Sequence, residues 1–89
     1  MKEMKINENA ILTTEHPASS YNIPVLVTDD GRAYGPSDRH YPGKFNSIFG
    51  DMRAAHSVYS YAINNELDAE THDFVKLYLG QWPEGPQID

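Results

Sequence analysis

The chain has no cysteine. That absence excludes a disulfide framework, a thiol nucleophile and a thiolate metal site, and it is compatible with a reducing compartment. Long apolar runs are missing as well. The start, "MKEMKINENAILTTE", carries charges throughout and a single apolar run of three residues, Ala10 to Leu12. A secretory signal needs about 7–15 apolar residues and a membrane span about 20. The expectation is therefore a soluble, cytoplasmic chain without a membrane segment. Phosphate-cradling glycine motifs are absent too, since Gly31, Gly35 and Gly43 form neither G-x-G-x-x-G nor a P-loop.

Basic residues are scarce where acids are dense. Residues 1–53 hold seven acids against six bases, whereas residues 54–89 hold six acids against Lys76 alone. Most of the net charge of -6 at pH 7 thus sits on the C-terminal part. Such a surface repels phosphate backbones and attracts basic partners. Direct nucleic-acid binding, which draws on counterion release by Lys and Arg, is not expected.

What is present fits one small domain spanning 1–89. A chain of this length buries roughly 60% of its unfolded surface, so a homodimer is a natural source of added stability. The apolar share of 39% and the mean hydropathy of -0.61 are low for a tight core. Six Tyr, three Phe and one Trp compensate, because each aromatic buries about 150–250 Å².

The pattern predicts an α+β fold, a short β-hairpin packed on two helices, one of them long. Residues 1–10 read as a polar, frayed start and residues 83–89, "PEGPQID", as a loose tail. In "AILTTEHPASSYN" two alternatives stay open: Ile11 and Leu12 begin a third strand, or Thr14 or Glu15 introduces one helical turn around Pro17. "VLVTDDGRAY" is clearer. Val25, Leu26 and Val27 are strand formers, Asp30-Gly31 is a hairpin signal, and Arg32 to Tyr34 would return.

From Phe45, residues Phe45, Phe49, Met52, His56, Tyr59 and Ile63 are spaced four, three, four, three and four apart. That spacing predicts a long amphipathic helix with this stripe buried, ending at Asn64-Asn65. His56, at mid-stripe, would be half-buried. Ala54, Val58 and Tyr61 line the opposite face, which predicts a sandwiched helix or one at a dimer interface. A second helix follows, with Asp68 as N-cap, Glu70 and Asp73 near the positive end of its dipole, and Phe74, Val75, Tyr78, Leu79 and Trp82 as its apolar face. Gly80 and Pro83 bracket its end.

Three groups of residues have the chemistry for a site. "AYGPSDRHYPGKF" confines Asp38, Arg39, His40 and Tyr41 between Gly35-Pro36 and Pro42-Gly43, close to Tyr34. Arg39 suits a carboxylate or phosphate, the tyrosines can stack, and His40 titrates near neutrality. The plainer alternative is a connector whose tyrosines pack inward. The second group is the outer helix face with Tyr61. The third is acidic: Glu66, Glu70 and Asp73, joined by Glu84 and Asp89, could mimic a row of phosphates, or simply complement a helix dipole.

Catalysis finds little to use. Ser37, Asp38 and His40 are the right types for a triad, but three groups within four positions of one loop rarely reach its geometry. Asp68 and His72 could offer two metal ligands from one helix face, with no motif to supply a third. Neither a cofactor nor a metal is expected. The resulting expectation is a small acidic, non-enzymatic protein-binding module for a partner with a basic surface, using Tyr34, Asp38, Arg39, His40, Tyr41, Tyr61, Glu66, Glu70 and Asp73. Small size, acidity and the lack of catalytic motifs resemble the profile of many phage-encoded inhibitors of host nucleic-acid-handling or defence proteins, a profile shared by unrelated families. The alternative is a small-ligand or nucleotide-binding homo-oligomer with a pocket between protomers, lined by Arg39, His40 and Tyr41.

Overall fold

In the computed structural model, residues 3–19, 23–35 and 47–89 are described. Near the start, charged and apolar residues alternate, with Glu3, Lys5 and Asn7 exposed and Met4 and Ile6 buried. That two-residue period is the mark of a half-buried strand, and Glu3–Asn7 is β1. β2 follows at Ala10–Thr13, β3 at Val25–Thr28, β4 at Ala33–Gly35 and β5 at Ser47–Phe49. Two helices complete the order, α1 at Met52–Asn64 and α2 at Ala69–Gly80. The α+β class is as the sequence predicts, with a five-stranded mixed sheet in place of a lone hairpin.

The sheet runs β1-β2-β3-β4-β5, antiparallel as far as β4 and parallel between β4 and β5. Its register sets Met4, Leu12, Leu26, Tyr34 and Ile48 in one row across the strands. This is the face the helices cover. Met4, Leu12 and Leu26 share one core with Val58, Phe74, Val75, Tyr78, Leu79 and Trp82. On the reverse face Val25 and Ala33 pack with Ala18, from the segment after β2, into a smaller cluster.

Of the two alternatives for "AILTTEHPASSYN", the strand is the one observed, and residues 14–19 hold a tight turn in place of a helical one. Ile11 and Leu12 lie in β2, while His16 to Ser19 form a turn in which the Ser19 N–H donates to the His16 carbonyl at 2.8 Å. The Asp30-Gly31 hairpin is as expected. Gly31 has φ of 85°, and the Thr28 N–H donates to the Arg32 carbonyl at 2.9 Å. Such a positive φ is the reason glycine serves there.

Four expectations need correction. Residues 3–7 are a strand and not a frayed start, because Met4 and Ile6 reach the core. The first helix is 13 residues long. Phe45 lies outside the described residues, and Ile48 and Phe49 belong to β5. Gly50 at φ 75° turns the chain, and Asp51 caps the helix that follows. The buried face of α1 is also turned away from the expected stripe, of which Met52 and Tyr59 still pack against the core. Ala54, Ala55 and Val58 are buried, His56 is exposed and Ile63 is 59% exposed. A 3.6-residue period marks a stripe without saying which way it faces. The small Ala54 and Ala55 let α1 lie close to its neighbours, so this face packs inward within one chain. Lastly, the tail is fastened. The Gln87 Nε2 donates to the Leu79 and Trp82 carbonyls at 2.9 and 2.7 Å, and Ile88 packs against the core.

α2 matches its sequence reading closely. The Asp68 carboxylate accepts from the Thr71 N–H at 2.7 Å, and Phe74, Val75, Tyr78, Leu79 and Trp82 are all buried. Tyr78 and Trp82 meet edge to face with ring centroids 6.0 Å apart, a preferred aromatic geometry. Among the described residues no helix is long and apolar enough to cross a membrane.

Candidate functional site

The two hairpin turns at one end of the sheet are built by short polar side chains. In the first, the Asn7 carbonyl oxygen Oδ1 accepts from the Asn9 N–H at 2.8 Å, an Asx turn of the kind asparagine favours. The Asn9 carbonyl then accepts from the Asp29 N–H at 2.8 Å, tying the first turn to the second. In the second, the Thr28 hydroxyl donates to the Asp30 carboxylate. That hydrogen bond, more than anything else, holds the Asp30 carboxyl below its ordinary range.

Between these turns and the start of α1 lies a cleft of about 330 Å³. Its floor is apolar, from Ala10, Leu26 and Ala54. Asn7, Asn9, Thr28, Tyr34 and Ser57 supply amides, hydroxyls and a phenol, and Asp51 and Arg53 complete the lining. The register explains the strand contributions, since Ala10 pairs with Thr28 and Leu26 with Tyr34 on the helix-covered face.

Asp51 and Arg53 act as a unit. One carboxylate oxygen accepts from the Arg53 backbone N–H at 3.1 Å, capping α1. The guanidinium clasps the same carboxylate through Nε at 3.1 Å and Nη2 at 3.0 Å. The side chain of Asp51 is only 16% exposed, that of Arg53 91%. The guanidinium hydrogen bond, then the backbone one and the opposite charge, draw the Asp51 carboxyl below its usual value, against the opposing effect of burial. Arg53 is held charged more firmly in return by Asp51, through the hydrogen bond first and then its opposite charge. Because a guanidinium and a carboxylate of opposite charge are held together, the pair is close to neutral overall. The cleft therefore suits a neutral, partly apolar group with donors and acceptors better than a free anion.

A second groove continues along α1. It is lined by Ile6, Asn7, Arg53, His56, Ser57, Ser60, Tyr61, Asn64 and Asn65, and it shares Asn7, Arg53 and Ser57 with the first. The structure thus brings two of the residues singled out from the sequence onto one continuous surface. Tyr34 is half-buried in the cleft, its carbonyl accepting from the Tyr78 hydroxyl at 3.3 Å. Tyr61 is half-buried at the second groove and packs against the core.

The acidic group stands on a different element. Glu66, in the link between the helices, and Glu70 and Asp73, one turn apart on α2, are all exposed. Asp73 is 3.8 Å from the His72 Nδ1. Asp38, Arg39, His40 and Tyr41 lie outside the described residues. Asn7, Asn9, Thr28, Asp51, Arg53 and Ser57 are the polar cleft residues that sequence reasoning missed. One signal was available for two of them, an aspartate directly before a helical period with an arginine two positions on, which is a cap and its clasp.

Among the described residues, no group of three or more His, Asp or Glu could hold a metal ion. The cleft offers donors and acceptors for recognition, and its one carboxylate is occupied by Arg53. Compared with known proteins, the chain matches no family model, no curated protein and no solved structure.

Proposed function

We propose that this chain is a small acidic protein-binding module that works without catalysis, in the cytoplasm, on a partner with a basic surface. In the finer form of this proposal it is an inhibitor of phage type that occupies a nucleic-acid-handling or defence protein of a host. The observation that carries it is the exposure of Glu66, Glu70 and Asp73 on and beside α2, in a stretch where Lys76 is the sole base. A stretch whose acids outnumber its Lys and Arg six to one extends a negative potential to about one Debye length, ~8 Å at physiological salt. Such a field steers association with a basic surface and makes it depend on salt.

The test is a tagged capture from nuclease-treated lysate at low and moderate salt, with wild type beside the triple variant E66K/E70K/D73K. One dominant partner, lost with salt and lost with the triple variant, is the expected result. A partner retained by the triple variant places the interface elsewhere, and capture of nothing at either salt overturns the proposal.

One observation favours a second reading, the binding of a small ligand. The cleft at Tyr34 and Arg53 has an apolar floor and polar walls, a common composition for ligand sites. It lies within one chain, whereas the sequence suggested a pocket between protomers. A panel of nucleosides and nucleotides screened by thermal shift tests it. A ligand that raises Tm for wild type and not for Tyr34→Ala supports this reading, and a flat response across the panel sinks it for that class.

A further inference from the structure

β1 ends the sheet on one side, and the strand order leaves its outer edge without a partner among the described residues. A strand edge presents a row of backbone donors and acceptors, and it accepts a further strand unless proline, bulges or charge oppose one. No proline stands in Glu3–Asn7. The register shift lies between Lys5 and Asn7, so Glu3, Met4 and Lys5 keep regular pairing with Thr13, Leu12 and Ile11. The remaining question is whether charge opposes pairing, and with whom.

We propose that β1 is the surface through which two copies of this chain associate, strand to strand, antiparallel, about a two-fold axis at Met4. A two-fold that joins two edges into one sheet must match residues of the same face. Its axis therefore lies between the two edges, level with one residue of β1. Three choices fall within the regular stretch. An axis at Glu3 sets Glu3 against Glu3 of the second copy, and an axis at Lys5 sets lysine against lysine. Each puts like charges directly opposite, which is unfavourable. An axis at Met4 sets Glu3 against the second copy's Lys5, and Lys5 against its Glu3, on the exposed face. Met4 then meets its own copy on the helix-covered face. The charge pattern of three residues thus selects one register and one partner, a second copy of the chain.

Beside the end of β1 runs the groove of about 600 Å³, whose helical wall mixes Ser57 and Ser60 with Arg53, His56 and Tyr61. In the joined sheet both pairs of helices lie on the same side, because the axis is normal to the sheet.

Sedimentation velocity across a concentration series tests the proposal on wild type, E3K, K5E and E3K/K5E. Wild type is expected to self-associate. Each single variant opposes like charges at both symmetric ends and should weaken the dimer roughly tenfold or more. The double variant restores opposite charges and wild-type net charge, and its dimer should return. An equimolar mixture of E3K and K5E should form the mixed dimer that neither forms alone. Glu3 and Lys5 are exposed in the single chain, so thermal melts by circular dichroism should show every variant folded. Wild type that stays monomeric to the highest concentration reached overturns the proposal. So do single variants that dimerise like wild type, or a double variant that does not recover.

Discussion

Gly50 and Gly80 make opposite demands on one missing methyl group. At Gly50 the backbone has φ of 75°, and a Cβ would meet nothing within 4 Å. Replacing it with alanine costs backbone strain alone, about 1–2 kcal/mol for an L-residue held in the left-handed region. Gly80 is the last residue of α2, without a positive φ and with equally open space. Alanine there relieves the entropic penalty of a helical glycine, at most about 1 kcal/mol. Chemical denaturation should therefore show Gly50→Ala destabilised and Gly80→Ala equal to wild type or more stable. The reverse order would mean that the turn before α1 tolerates a negative φ. The two N-caps allow a second measurement at this scale. Asp51 is drawn below the ordinary carboxylate value of 3.8 mainly by the Arg53 side chain, and Asp68 mainly by the Thr71 N–H. A carboxyl whose folded value is depressed stabilises the fold above its unfolded value, and that contribution disappears as pH falls through the folded one. Asparagine keeps a capping oxygen and loses the charge. In a pH series of melts, D51N/D68N should fall less steeply than wild type on the acid side, below about pH 4. Parallel curves would show that these carboxyls do not carry the acid sensitivity.

At the scale of elements, α1 is the instructive case. Two stripes along it satisfy the helical period, one through Met52, His56, Tyr59 and Ile63, the other through Ala54, Val58 and Tyr61. The structure buries Ala54 and Val58 of the second, with Val58 fully enclosed. Of the first it packs Met52 and Tyr59 against the core while leaving His56 exposed and Ile63 59% exposed. The pair Val58→Asp and Ile63→Asp separates these faces. The first places an unpaired charge in the core and should abolish cooperative unfolding, while the second should melt within about 0.5 kcal/mol of wild type. Equal effects would return α1 to the two-sided helix suggested by its sequence. The same comparison shows what was legible. α2 was readable because a capping Asp68, an apolar period and a closing glycine and proline agree with one another. The Asp30-Gly31 hairpin was readable from its turn chemistry alone. β1 escaped notice because two apolar residues among charged ones resemble a solvated tail until a partner strand is supplied. The orientation of α1 was not in the spacing at all, because it depends on which stripe is small enough to approach its neighbours. Of the cleft, Tyr34 was legible as an aromatic beside a turn. Asp51 and Arg53 were legible only as a cap and its clasp, and Asn7 not at all, since tertiary folding alone sets β1 beside the start of α1.

For the whole molecule, the order of the sheet has a kinetic meaning. Every strand neighbours its predecessor in the chain, so the ladder can grow from nearest-neighbour closures, which carry the smallest entropic penalty. A contact of another kind joins the helices to that ladder, the Tyr78 hydroxyl donating to the Tyr34 carbonyl across 44 positions. If long closures form last, Tyr78→Phe should leave the refolding rate near wild type and speed unfolding. Stopped-flow chevrons would read this as a shift confined to the unfolding limb, and a slowed folding limb would place helix docking in the nucleus instead. In the first case the helices act as a late clasp on a sheet already formed, and the Tyr78–Tyr34 hydrogen bond is one of the contacts that set how long the native state lasts.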